Sequence, residues 1–103
     1  MAGIYKQIDN NSGGAETVTV ITKGAGISGN IKKILIANEN TSNAVDITVD
    51  LHDGTNTFTI IKEVEIPTNS SLVLSDNISF DSDVFSLRIT TNGTAPLVTV
   101  IIK

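Results

Sequence analysis

His52 lies between Asp50 and Asp53 and is the only histidine of the chain, so acid–base chemistry would have to start there. Such chemistry needs titratable groups converging on a pocket. His52 falls on the polar side of an alternating run, just before a turn, and no serine or other nucleophile can be set beside it from sequence. It reads as a solvated residue at a strand end, and the chain as a non-enzyme. Gly24-Ala25-Gly26-Ile27-Ser28-Gly29 matches G-x-G-x-x-G. In a dinucleotide fold these glycines let the backbone approach a pyrophosphate at the N-terminus of the following helix. Here IKKILIANENTS follows, about two turns of helix at most, and then the chain turns into antiparallel hairpins. The pattern is expected to be a flexible interstrand loop able to adapt to a partner surface, not a phosphate cradle.

Asp76, Asp81 and Asp83 place three carboxylates within eight positions. Oxygen-rich loops hold calcium, but this spacing is not that of the helical calcium sensors and the turn glycine is missing. The segment reads as a solvated acidic loop, so no metal and no cofactor is expected. Asn10, Asn40, Asn69, Asn77 and Asn92 each begin an N-x-S/T sequence. With MAGIYKQIDNN at the start and no signal-peptide pattern, these read as polar turns rather than glycosylation sites.

The elements that must position these residues are strands. Val45, Ile47, Val49 and Leu51 alternate with Asp46, Thr48, Asp50 and His52, one oily face and one wet face. Asp53-Gly54-Thr55-Asn56 is turn chemistry. Phe58, Ile60, Val64 and Ile66 share one parity, and Pro67 ends the run because it lacks a ladder donor. This is an antiparallel hairpin with one buried face. Thr17–Thr22, Ile31–Ala37, Ser71–Ser75, Ile78–Phe80, Val84–Thr91 and Leu97–Lys103 read as further strands. Asn92-Gly93-Thr94 is expected to be a tight hairpin turn. About seven to eight strands, spaced by turns, predict an all-β antiparallel sandwich or small barrel of jelly-roll type. Residues 1–16 are expected as an N-terminal arm or loop, with a disordered tail or an ordinary first strand as alternatives. Residues 17–103 are expected as a single sandwich domain. Among the four aromatics, only Tyr5 is expected to be an exposed ring, and Phe58 and Phe85 are assigned to the core.

The totals narrow the function. The chain has 103 residues, no cysteine and a net charge of −4. That excludes a disulfide framework or thiolate metal site, and it argues against nucleic-acid binding, which needs a basic footprint. No apolar run reaches the roughly 18 residues of a membrane helix. Charged residues make up only 17% of the chain. Such a surface suits packing against copies of itself or a partner, because charge is costly to bury there.

Residues 31–103 resemble small virion structural proteins of tailed bacteriophages, notably marine ones. The resemblance rests on ILIANENTSNAVDITVDLHDGTNTFTIIKEVEIPTNSSLVL followed by FSLRITTNGTAPLVTVIIK. It implies a β-sandwich or barrel unit that coats heads as a decoration or cement protein, or builds tails and fibres. On that reading the partners are the major capsid protein and further copies of the chain, as a homo-trimer, with no nucleic acid, membrane or small-molecule substrate. The location is the outer surface of the virion head, after synthesis in the host cytoplasm. Partner contacts are expected from Ile4, Tyr5 and Ile8 of the arm and from Gly24, Gly26, Ile27 and Gly29 of the glycine-rich loop. A tail or fibre component, or a host-surface binding module, is the alternative class.

Overall fold

Ten strands organise the computed structural model, which describes residues 3–75 and 77–103. They are β1 (Ile4–Asp9), β2 (Gly14–Ile21), β3 (Ser28–Ile31), β4 (Ile34–Asn38), β5 (Val45–His52), β6 (Thr57–Ile66), β7 (Ser71–Leu74), β8 (Ile78–Asp81), β9 (Ser86–Gly93) and β10 (Leu97–Ile102). The predicted hairpin forms, but its register shifts twice, so Ile61 rather than Ile60 faces Val49, and Phe58 and Val64 of the expected buried face are exposed. Leu51 faces Phe58 and His52 faces Thr57. The Asp53 carboxylate accepts the N–H groups of Thr55 and Asn56 at 2.8 and 2.6 Å. Gly54 takes φ of 104°, which a side chain would resist.

Outward from that turn the pairing is nested. β5 pairs with β6, β4 with β7, β3 with β8, β2 with β9 and β1 with β10, all antiparallel. The chain is therefore one long ribbon doubled back at Asp53–Asn56. Winding the ribbon brings β10 against β4 and β9 against β5. The result is a first sheet of order β1-β10-β4-β7, a second of order β2-β9-β5-β6, and a short β3-β8 ladder. This is a jelly roll.

The core lies between the inner faces of the two large sheets. The first sheet supplies Ile8, Ile34, Ile36, Val98, Val100 and Ile102, and the second supplies Val45, Ile47, Val49, Leu87 and Ile89, all 2% exposed or less. Burying one such side chain contributes about 1.5–3 kcal/mol. Their β-branched shapes fit the pleated surface, which is why the Ile/Val-rich composition reads so clearly as sheet.

Three expectations are corrected. Within the stretch 1–16, the described residues supply β1, paired along its whole length with β10, and the start of β2, joined by a turn at 10–13, so the first-strand alternative is the one that forms. Ile8 and Ile4 share the inward parity that makes this an ordinary first strand. Asn92-Gly93 is not a hairpin turn, because β9 and β10 belong to different sheets. Gly93 has another use: a Cβ there would stand 3.1 Å from the Ala44 carbonyl oxygen. Finally, the described residues form ten strands rather than seven or eight, because β1 adds one and Ser28–Ile31 of the glycine-rich segment, pairing with Ile78–Asp81, adds another.

The end of the sandwich away from the Asp53 turn is fastened by asparagine amides. Asn38 Nδ2 donates to the carbonyls of Asn43 and Ile66 at 3.0 and 3.1 Å, and its Oδ1 accepts from the Asn40 N–H. Asn40 Oδ1 accepts the N–H groups of Ser42 and Asn43. Asn10 Nδ2 donates to the Gly14 carbonyl. The N-x-S/T sequences at Asn10 and Asn40 thus serve as loop clasps.

Candidate interaction surfaces

The residues that could do chemistry are each held by a structural partner. Asp50 accepts from Arg88 Nε at 2.7 Å on the outward face of the second sheet. Arg88 also donates from Nη2 to Thr57 Oγ1, and His52 Nδ1 lies 3.1 Å from the same hydroxyl. Asp53 is occupied by its own turn, and those two backbone N–H groups hold its carboxyl below the usual carboxylate range. These groups lie along a sheet face and its turn, and the hydroxyl that sequence reading could not set beside His52 is that of Thr57, shared with Arg88. Among the described residues, no three His, Cys, Asp or Glu side chains come together as a metal group. Asp76 of the acidic segment lies outside the described residues. Asp81 Oδ1 accepts the Asp83 N–H within a turn.

The glycine-rich loop sits at the same end of the sandwich as the Asp53 turn. Lys23 Nζ donates to the Asp53 carbonyl at 3.0 Å, and the Lys23 N–H donates to Ser86 Oγ. The fully buried Ser82 holds the other side of the loop. Its hydroxyl accepts the Ile27 N–H at 2.8 Å, its carbonyl accepts the Gly24 N–H, and its N–H donates to the Ile27 carbonyl. The loop is therefore pinned at both ends rather than free along its length. Gly24 and Gly26 are exposed, with φ of 92° and 76°. Ile27 is half-buried against the core, and Gly29 is exposed within β3.

Two further apolar residues stand out at this tip. Phe58 is 51% exposed and Val84 is 46% exposed. Phe58 meets Phe85 edge to face, with centroids 5.8 Å apart and planes at 85°. The expectation that Phe58 belongs to the core fails, although its parity is inward. It sits one pair from the end of the hairpin, on the edge strand of its sheet. Strand parity gives the direction of a side chain and not the extent of the layer covering it.

The expected contacts Ile4, Tyr5 and Ile8 separate. Tyr5 points outward and is 69% exposed, as read from sequence. Ile8 is 2% exposed and packs in the core, so in the folded chain it is not a partner anchor. Ile4 is half-buried against the same core. Tyr5 and the glycine-rich loop lie on different elements, with no shared hydrogen bond or strand pairing. Glu39 was missed by sequence reading. Its Oε2 accepts from Thr99 Oγ1 at 2.7 Å and Gln7 Nε2 at 3.1 Å on the outward face of the first sheet. These bonds hold its carboxyl below the usual range. Its position inside an asparagine-rich turn gave no sign of this.

Neither family models nor curated proteins match the sequence. Several solved structures are similar over most of the chain. A pentameric capsid protein isolated from metagenomic phage sequences is 13% identical, with a TM-score of 0.48, over 98% of this chain and 59% of that one. The structure of infectious bursal disease virus, Gx strain, is 11% identical with a TM-score of 0.48, over 99% of this chain and 32% of that one. The Yersinia pseudotuberculosis-derived mitogen is 13% identical with a TM-score of 0.49, over 98% of this chain and 81% of that one. The chain thus spans less than two-thirds of either viral protein.

Proposed function

We propose that this chain is a non-enzymatic virion structural protein that decorates the assembled head and bridges neighbouring capsid subunits. The observation that carries the reading is the tip of the sandwich. Three loops are fastened to one another there, and together they present Phe58, Val84 and the exposed glycines of the 24–29 loop. Apolar groups on a fixed support lose little side-chain freedom on contact, so more of their burial is retained as affinity. The glycine backbone lets a partner approach closely. The resemblance of residues 31–103 to small phage virion proteins supplies the partner, the major capsid protein. Jelly rolls are a common capsid architecture. A ligand that binds only the assembled shell stabilises it by mass action, and many copies multiply the effect.

The test is co-sedimentation of purified protein with heads that lack it. Wild type is expected to pellet with heads, while F58S and V84S remain in the supernatant with unchanged circular dichroism. Pelleting of both variants at wild-type levels would remove the tip from the interface.

The exposure of Phe58 also supports a second reading, a tail or fibre module that recognises a host-surface glycan. Aromatic faces stack on sugars, and jelly rolls also serve as lectin domains. Retention on a glycan surface, abolished in F58S, together with absence from heads, would favour this reading.

A further inference from the structure

The outward face of the first sheet carries one apolar row. Strand register sets Tyr5 beside Ile101, Ile101 beside Leu35, and Leu35 beside Val73. The neighbours of opposite parity, Ile34 and Ile102, are fully buried, so this row faces away from the core. Tyr5 and Val73 are 69% and 48% exposed, and Leu35 and Ile101 are half-buried. At the usual strand spacing the row is about 14 Å across.

Charge flanks the row in opposite senses. Two residues along the strands on one side stand Lys33 and Lys103, exposed and joined by reciprocal backbone hydrogen bonds at 3.0 and 2.9 Å. Two residues along on the other side stand Gln7 and Thr99, and these hold the Glu39 carboxylate over their strands. The order along β10 is therefore cation, apolar row, carboxylate, with steps of about 7 Å.

We propose that this face docks a second copy of the chain, sheet to sheet, about a two-fold axis running along the Tyr5–Ile101–Leu35–Val73 row. That operation lays each residue of the row on its own counterpart. It reverses the strand direction, so Lys103 of each copy faces Glu39 of the other, with Lys33 alongside. A two-fold axis running along the strands would also join the apolar rows, but it would set lysine against lysine. The face is thus self-complementary in one orientation, as an isologous interface requires. It is satisfied by two copies, rather than the three expected from sequence. The proposal uses only this chain's own face and does not rest on the virion reading.

Sedimentation equilibrium of the full chain, without any particle present, tests it. Wild type is expected to be a dimer, and Y5D to raise the dissociation constant at least tenfold with unchanged circular dichroism. E39K and K103E are each expected to weaken self-association about tenfold. An equimolar mixture of E39K and K103E is expected to recover a heterodimer, because both cross-contacts are again of opposite sign. A wild-type monomer at millimolar concentration, a trimer, or a mixture no tighter than either variant alone would overturn the proposal. Self-association is read separately from head binding, so failure here leaves the tip reading standing, and the converse also holds.

Discussion

Arg88 Nε donates to Asp50 Oδ1 at 2.7 Å across adjacent strands β9 and β5, and the Asp50 side chain is only 7% exposed while that of Arg88 is 25% exposed. The pair stands on the outward face of the second sheet, where most neighbours are threonines. Removing one member leaves a charge in a partly desolvated place, which costs more than the pair contributes. D50A is expected to lose about 1–3 kcal/mol of stability in urea unfolding. The double variant D50L/R88L is expected to lose less than D50A alone. A double variant less stable than D50A would show that the pair stabilises the sheet in its own right.

Gly93 is expected to tolerate no side chain. Its φ is not positive, so the obstacle is the Ala44 carbonyl oxygen 3.1 Å from a Cβ. G93A is expected to cost about 1–3 kcal/mol, the usual range for overpacking. N92T, on the exposed neighbour within β9, is expected to be near neutral. Thermal unfolding of the two variants side by side checks the contrast.

These two sites mark what was legible in the sequence. The β5–β6 hairpin was readable because its signals are local: strict alternation, an Asp-Gly turn and a closing proline. The same logic misled at Asn92-Gly93, where a turn-forming dipeptide sits in a strand and its glycine answers to a distant backbone. The nested pairing of β1 with β10 has no local signature, since contacts between chain ends depend on how the ribbon winds. Tyr5 was legible as an exposed ring. Phe58 was not, because parity cannot say that its strand lies at the edge of the sheet. Glu39 was invisible for a related reason: its partners, Gln7 and Thr99, come from other strands.

Ile8 carries the claim that the N-terminal segment is part of the fold. I8A is expected to cost about 2–4 kcal/mol, as truncation of a buried isoleucine does. Deleting residues 1–12 is expected to prevent cooperative folding, because it strips β1 from β10 along six register pairs, Ile4–Ile102 to Asp9–Leu97. Calorimetry of both variants is the check. A cooperative transition at the wild-type temperature in the deletion variant would return these residues to the status of an arm.

The Asp53 turn is expected to loosen in acid. The folded-state pKa of Asp53 is lowered, first by the Asn56 N–H and then by the Thr55 N–H. A lowered carboxyl pKa contributes stability that is present above the unfolded-state value and lost as pH falls through the folded-state value. Hydrogen exchange at the Thr55 and Asn56 amides should therefore gain little protection from the carboxylate once pH drops below the ordinary carboxylate range, after correction for the intrinsic rate. D53A is expected to abolish that pH dependence, leaving these amides poorly protected at neutral pH. Equal protection in D53A and wild type at neutral pH would remove the carboxylate from the account of this turn.

The most direct test of the central claim is immunogold labelling of purified particles with an antibody to this chain. The account predicts label over the heads, at many copies per particle. Particles that carry no label, in a preparation where the antibody detects the free protein, would contradict it.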